Sequence, residues 1–467
     1  MISDILSNGT DDRPVHFIGI AGAGMSALAE LFARRGARVT GCDSNPDAAR
    51  DDLARLGIEV WAGHRTEHIE GARAVVFTSA MGRDHPELAA ARAAGIPVIR
   101  RAEALGAAVS SGDVVGIAGT HGKTTTTVMT TTALRAAGLE PTGIAGGRVA
   151  EWGGNMTFGS DRLFVVEADE YDRSFLALDP AVAVVTNVEA DHLDIYADLD
   201  DIRATFSRYI AHAPAIVLCA DDAGANSLTL PATAEIIRYG LASPDARLIA
   251  SNVRPDGGGS VFSVSYDGKP ATEVRLRVPG VHNVRNALAA LGSGIALGVE
   301  PARMLPGLEA FSGVERRFQR IADVAGISIV DDYAHHPTEI AATIEAARGA
   351  FPGRRLVVAF QPHLYTRTRD FATEFGLALS AADAIFLTEL YPAREQPIAG
   401  VSSDLVESAI RAAGGALAWR GERAALAEAL SAAVRPGDVV LTVGAGDITH
   451  AARELWDRLA ARGALVT

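Results

Sequence analysis

A chain of 467 residues is too long to bury around one core, so two or three domains are expected, and 48% apolar content is that of an ordinary globular protein. A formal net charge of −14 excludes broad binding to nucleic acid or to anionic membrane, while leaving room for a local basic pocket that takes phosphates. Two cysteines, Cys42 and Cys219, exclude a disulfide framework and have no metal-finger spacing, so each reads as a small buried apolar residue. Met1 to Arg13 lacks the apolar stretch of a signal peptide, and no apolar run is long enough for membrane insertion. A reducing, cytoplasmic location is expected.

In chain order, Val15 to Ile20 is the first strand, and a helical run reaches Arg35. Between them Gly22, Ala23, Gly24, Met25, Ser26 and Ala27 fit the dinucleotide fingerprint, with alanine at the third glycine place. Asp43 ends the second strand about 20 residues on, where a carboxylate can accept from ribose hydroxyls. Further strands are expected at Glu59-Val60, Ala74 to Thr78 and Pro97 to Ile99. Ser79 lies at a strand's C-terminal end, where open α/β sheets bind ligands.

After a polar break at Ser110 to Asp113, the strand Val114 to Ala118 runs into Gly119-Thr120-His121-Gly122-Lys123-Thr124-Thr125. A glycine turn opening a helix aims N–H groups at anionic oxygens, the lysine adds charge, and the first threonine after it can hold Mg²⁺. Lysine occurs only at 123 and 269 in this arginine-rich chain. The helix from Thr124 stops before Gly138, and the Gly-rich stretch 143–154 reads as a mobile loop over a ligand. The strands Leu163 to Val166 and Ala181 to Thr186 end in two acidic clusters, Glu167 to Glu170 and Glu189 to Asp194. Carboxylates beside a phosphate turn suit Mg²⁺ ions that bridge ATP oxygens. His192 sits in the second cluster; imidazole is a poor Mg²⁺ ligand by softness, so a weak or outer role fits it.

Residues 216–277 alternate between strands and turns, and His282, Asn283 and Asn286 lie in the first turns of an Ala-rich helix, where amides can read a base edge or cap the backbone. The segment 311–318 reads as a hinge carrying Arg316 and Arg317. The last third returns to strand–helix alternation, with Asp332, Tyr333, His335 and His336 after one strand and His363, Leu364 and Arg367 after the next. Adjacent histidines point apart on a helix, so the pair reads as substrate contacts rather than metal ligands.

The stretches GIAGAGMSALAE, GTHGKTTT, EADEYDRSFL, TNVEADHLDIY, GVHNVRNALAA, GVERRF, DDYAHHPTEI and QPHLYTRTRD resemble the Mur ligases of peptidoglycan synthesis, and the first and the last two resemble the branch that adds L-alanine and its close relatives. The resemblance implies an α/β protein of three domains. Residues 1–111 would be a Rossmann-like UDP-sugar-binding domain, 112–314 a P-loop-type ATPase with a mixed sheet, and 315–467 a Rossmann-like domain closing on ATP and the amino acid. It implies ATP, UDP-N-acetylmuramate and L-alanine as substrates, Mg²⁺ at Thr124, Glu167 and His192, and a monomer or homodimer. It places Lys123, Arg317 and Asp332 on ATP, His282, Asn283 and Asn286 on adenine, and Tyr333, His335, His363 and Arg367 near substrate. The base for the amine is His192 or His335. Leu364 stands where the family often has a basic residue, Tyr171 where a small one is usual, and no lysine between 124 and 268 supplies the carbamylated lysine of several relatives. Alternatives are the ligase that attaches recycled peptides to the same sugar nucleotide, an oxidoreductase using the first glycine turn for NAD, and a non-catalytic sugar-nucleotide sensor.

Overall fold

Runs of Val, Ile and Ala with no polar alternation suit strands covered on both faces, and such runs build three parallel-rich sheets here. The computed structural model describes residues 2–7, 11–78, 81–82 and 84–464. Ser79, the candidate ligand at a strand end, lies outside the described residues. The chain divides into two compact units, one of residues 1–189, 200–248 and 286–308, the other of 190–199, 249–285 and 309–467.

The first unit holds two sheets. One contains β1 (Val15–Ile18), β2 (Val39–Asp43), β3 (Glu59–Ala62), β4 (Ala74–Phe77) and β5 (Val98–Arg100), in the all-parallel order β3-β2-β1-β4-β5. The order reverses at β1, so a crevice opens beyond the C-terminal ends of the strands there. The other contains β6 (Asp113–Ala118), β7 (Thr142–Val149), β8 (Gly154–Thr157), β9 (Leu163–Glu167), β10 (Val182–Val185), β11 (Ala215–Cys219) and β12 (Glu235–Gly240). Its order is β12-β11-β10-β6-β9-β7-β8, parallel except for the β7–β8 pair. The glycine turn leaves β6, which is flanked by β9 and β10; the two acidic clusters follow those neighbours.

Residues 143–154 are not a mobile loop: they form most of β7, a turn and the start of β8. Glycine there answers a packing demand, since a Cβ at Gly143 would lie 2.7 Å from Thr131 Oγ1. The helix Lys123–Ala136 opens on a threonine run that its propensity disfavours, and tertiary packing overrides that weakness: Thr124 to Thr127 are all buried. Thr131 and Thr132 return their hydroxyls to the carbonyls of Thr127 and Val128.

The second unit holds the strands β13 (Leu248–Asp256), β14 (Gly259–Tyr266) and β15 (Thr272–Leu276), of which the last two pair antiparallel. Its sheet proper contains β16 (Gln319–Val324), β17 (Ile327–Asp332), β18 (Leu356–Phe360), β19 (Ala384–Thr388), β20 (Leu417–Gly421) and β21 (Val439–Val443). The order is β16-β17-β21-β18-β19-β20, with only β16 antiparallel. Apolar clusters cover both faces, one around Phe360, Phe375 and Leu441, the other around Phe386, Leu430 and Leu455. No helix among the described residues is long and apolar enough to cross a membrane.

Candidate active site

The turn between β6 and its helix is over-determined by its neighbours. Gly119 adopts φ +140°, and a Cβ there would stand 1.9 Å from Thr186 Oγ1. Gly122 is left-handed at φ +81°, and a Cβ there would meet Asn286 Oδ1 at 2.6 Å. Asn187 accepts from His121 N–H at 2.8 Å and donates to its carbonyl at 3.1 Å, while Thr186 donates to the same carbonyl at 2.6 Å. Thr120 Oγ1 accepts from Glu189 N–H at 2.9 Å. Gly119→Ala is therefore expected to cost about 1–3 kcal/mol in backbone strain alone, read as a lower urea midpoint together with weaker protection by ATP.

Lys123 Nζ lies 2.7 Å from Gly119 O and 3.2 Å from Thr120 O, so it braces the turn it belongs to. It also pairs with Glu170 at 2.8–2.9 Å. Burial opposes its charge, but Glu170, Asp169 and Glu167 outweigh burial and hold the lysine above its ordinary value. Thr124 Oγ1 donates to Glu167 Oε1 at 3.1 Å, so two of the three expected Mg²⁺ ligands adjoin. Glu167 Oε2 accepts from Gly146 N–H, and burial raises its carboxyl. His192, the third, belongs to the second unit, sits at φ +53° and has Asp191 Oδ2 3.8 Å from its Nε2. Asn286, expected on adenine, packs on the phosphate turn and accepts from Thr126 Oγ1 at 3.2 Å.

Around the first glycine turn, Gly22 caps the helix Ala23–Arg34, whose first N–H groups face the crevice end of β1. Ser26 Oγ donates to Ala23 O at 3.1 Å. Asp43, expected on ribose, accepts from Ala21 N–H at 3.0 Å and from Asn45 N–H at 2.9 Å, so both oxygens serve to close the turn. Sequence reasoning missed Arg101: a Cβ at Gly24 would lie 2.9 Å from its Nη1, which places a guanidinium over the turn. Its only signal was an arginine pair, Arg100-Arg101, after an apolar strand.

In the second unit Arg367 donates through Nη2 and Nε to Asp191 Oδ1 at 2.7 and 3.2 Å, with both side chains at most 7% exposed. Burial opposes the Asp191 charge; Arg367 and then His192 hold its carboxyl well below the usual range. Arg316 and Arg317 lie over the Tyr333 ring at 4.8 and 5.1 Å. Arg317 Nη1 also lies 3.5 Å from Glu339 Oε1. Burial keeps His282, His335 and His363 neutral, at about 4, about 3 and about 4. His335 Nδ1 faces Tyr333 O at 2.9 Å, which makes Nδ1 the donor and leaves Nε2 a weak base. His336, read with His335 as a substrate contact, instead caps the helix Pro337–Ala350, accepting from Thr338 N–H at 3.4 Å, with its Nε2 3.2 Å from Ala190 O. Asn283 donates its side-chain amide to Pro279 O at 2.7 Å. His363 stacks on Tyr391. Leu364 is buried at φ +69° before the helix Tyr365–Leu379, a strained place for a side chain.

Asp332 Oδ1 and Oδ2 accept from Ala334 N–H at 2.7 Å and Phe318 N–H at 2.8 Å, fastening the segment 314–318 to β17. Burial pushes its carboxyl up to about 6 from an ordinary 3.8. The folded state thus favours the protonated acid, so its stabilising contribution is complete below pH 3.8 and is lost as pH rises through about 6. The stability of the wild type relative to Asp332→Asn is expected to fall by about 3 kcal/mol between pH 4 and 7, read from urea unfolding across that range.

The first unit therefore carries a dinucleotide-type turn and a lysine-bearing phosphate turn with adjoining carboxylates, the parts of a nucleotide-binding α/β protein. The chain belongs to the Mur ligase family. Three models match: the Mur ligase family catalytic domain at residues 14–112, the Mur ligase middle domain at 117–294 and the Mur ligase glutamate ligase domain at 316–446. It is similar to the UDP-N-acetylmuramate–L-alanine ligases of Laribacter hongkongensis, at 45% identity over 93% of this chain and 96% of that one, and of Streptomyces avermitilis, at 43% over 96% and 97%. The crystal structure of the Thermotoga maritima UDP-N-acetylmuramate–alanine ligase superposes with TM-score 0.82 at 28% identity, over 96% of this chain and 99% of that one. A murein peptide ligase from Psychrobacter arcticus gives 0.71 at 25%, over 96% and 99%.

Proposed function

We propose that the chain is an ATP-dependent ligase that joins L-alanine to the lactyl carboxylate of UDP-N-acetylmuramate, releasing ADP and phosphate, in peptidoglycan precursor synthesis. The chemistry rests on one observation: a charged, largely buried Lys123 in a glycine turn whose helix begins with Thr124 against Glu167. The choice of substrates rests on likeness to alanine-adding relatives at 45% identity. Residues 1–111 bind the sugar nucleotide, 112–314 bind ATP, and 315–467 close on ATP and alanine, in a cytoplasmic monomer or homodimer.

A carboxylate is a poor electrophile, and phosphorylation repairs that. The lactyl oxygen attacks the γ-phosphorus and ADP leaves, giving an acyl phosphate. The alanine amine attacks its carbonyl carbon, a proton leaves the nitrogen, and inorganic phosphate departs from the tetrahedral intermediate. Lys123 and Arg317 neutralise charge on the transferring group. Gly119, Thr120, His121, Gly122 and Thr125 line the phosphates. The oxygen donors Thr124 and Glu167 fit Mg²⁺, with His192 as a weaker third; the ion supplies charge neutralisation at the phosphates. The first-turn amides of Gly22 to Ser26 and the Arg101 guanidinium suit the UDP diphosphate. Burial lowers the basicity of His335 to about 3, which disfavours it as the group that takes the amine proton.

ADP release with UDP-N-acetylmuramate tests this. L-Alanine should support turnover and a murein tripeptide should not; turnover with the tripeptide alone would favour the peptide-recycling activity instead.

A further inference from the structure

The C-terminal end of β2 carries a cluster that the ligase chemistry leaves unused. Cys42 and Glu87 are fully buried there, and His64 and His85 are 20% and 11% exposed. The four come from three elements: the end of β2, the loop after β3, and the N-terminus of the helix Pro86–Ala93. Glu87 Oε1 is held by Arg65 N–H at 2.9 Å and faces His68 Nδ1 at 2.9 Å. Its other oxygen faces three donors of a different kind. Cys42 Sγ lies 3.2 Å from Oε2, His64 Nδ1 3.4 Å and His85 Nδ1 3.8 Å. Cys42 Sγ and His64 Nδ1 are 3.3 Å apart, and the facing atoms of His64, His85 and Glu87 all lie within 4.8 Å of one another.

Cys42 Sγ, His64 Nδ1 and Glu87 Oε2, 3.2–3.4 Å apart, are spaced as ligands around a common centre, and His85 Nδ1 is the fourth donor in reach, 3.8 Å from the same carboxylate oxygen. Zinc–sulfur, zinc–nitrogen and zinc–oxygen bonds of about 2.0–2.3 Å set the edges of a tetrahedron at about 3.3–3.6 Å. One thiolate, two imidazoles and one carboxylate select a borderline-soft d-block ion and disfavour Mg²⁺, which asks for six oxygens. A second observation points the same way. His85 Nδ1 is buried and makes no hydrogen bond among the described residues, so a purely hydrogen-bonded cluster leaves it orphaned. His68 stacks on Trp61 with centroids 4.9 Å apart, and it steadies the carboxylate from behind as outer partners of zinc ligands do.

We propose that Cys42, His64, His85 and Glu87 form a structural zinc site in the first domain. Four protein donors make it a closed site. It ties the loop after β3 and the start of the helix Pro86–Ala93 to the end of β2, one residue from Asp43, which closes the glycine turn. Cys42 thereby has a part that spacing along the sequence did not disclose, since its partners lie 22 to 45 residues away.

The full chain, stripped with a chelator and kept in excess Mg²⁺ so that phosphate-site ligands are occupied, is titrated with Zn²⁺ and separately with Co²⁺. Uptake of about one zinc per chain is expected, with tetrahedral d–d bands and a thiolate-to-cobalt charge-transfer band in the cobalt form. Cys42→Ser should abolish the charge-transfer band. His85→Ala should weaken zinc binding at least about tenfold with unchanged far-ultraviolet circular dichroism. Zinc uptake no greater than that of the double variant Cys42→Ser/His85→Ala, an octahedral cobalt spectrum, or a charge-transfer band that survives Cys42→Ser would overturn the proposal.

Discussion

Replacing Lys123 with alanine is expected to cut the rate of ADP release by about 10²–10³-fold or more, as loss of one donor to a charge-developing oxygen does. The same change takes away the cation held 2.8 Å from the buried Glu170. Breaking a buried pair from one side costs about 3–5 kcal/mol, so a folding defect must be separated from a catalytic one. The double variant Lys123→Ala/Glu170→Gln removes the carboxylate charge as well. It should regain most of the stability in urea and none of the rate. A double variant that recovered both would mean that the lysine serves the fold alone.

Arg367→Ala should be among the most destabilising single changes in the second unit. It leaves Asp191 charged and buried without its main partner, at a cost of about 3–5 kcal/mol. The pH dependence has a definite sign. Because the folded state depresses the Asp191 carboxyl, the stability it contributes is present above its ordinary value of 3.8 and is lost as pH falls through the lower folded value. Without the guanidinium, burial raises the Asp191 carboxyl in the variant, so the gap between wild type and Arg367→Ala should be widest where that carboxyl is ionised and should narrow as pH falls through its raised value. A gap that did not narrow in acid would contradict the pairing.

Parallel strands covered on both faces leave apolar runs such as Val182–Val185 and Leu356–Phe360, which is why the sheets were legible in one sequence. The phosphate turn was legible because its glycines meet hard steric limits, at Thr186 for Gly119 and Asn286 for Gly122. Glycine density misled at residues 143–154, where the absence of side chains makes room for neighbours: a Cβ at Gly146 would sit 2.5 Å from Glu167 Oε1. Asp43 and Asp332, read as facing ligands, also accept backbone N–H groups with both oxygens, a structural part that each plays beside that reading. Nothing local distinguishes those roles. Partners that meet only through topology, Asp191 with Arg367 or Arg101 with Gly24, leave no mark in spacing along the chain.

The central claim is that the sugar-borne carboxylate becomes reactive by taking the γ-phosphoryl group of ATP beside Lys123. UDP-N-acetylmuramate labelled with ¹⁸O in its lactyl carboxylate tests it most directly. Mass analysis of the phosphate released with L-alanine should find one labelled oxygen per turnover, carried over as the acyl phosphate breaks down. Unlabelled phosphate, formed at the same rate as the amide, would contradict it.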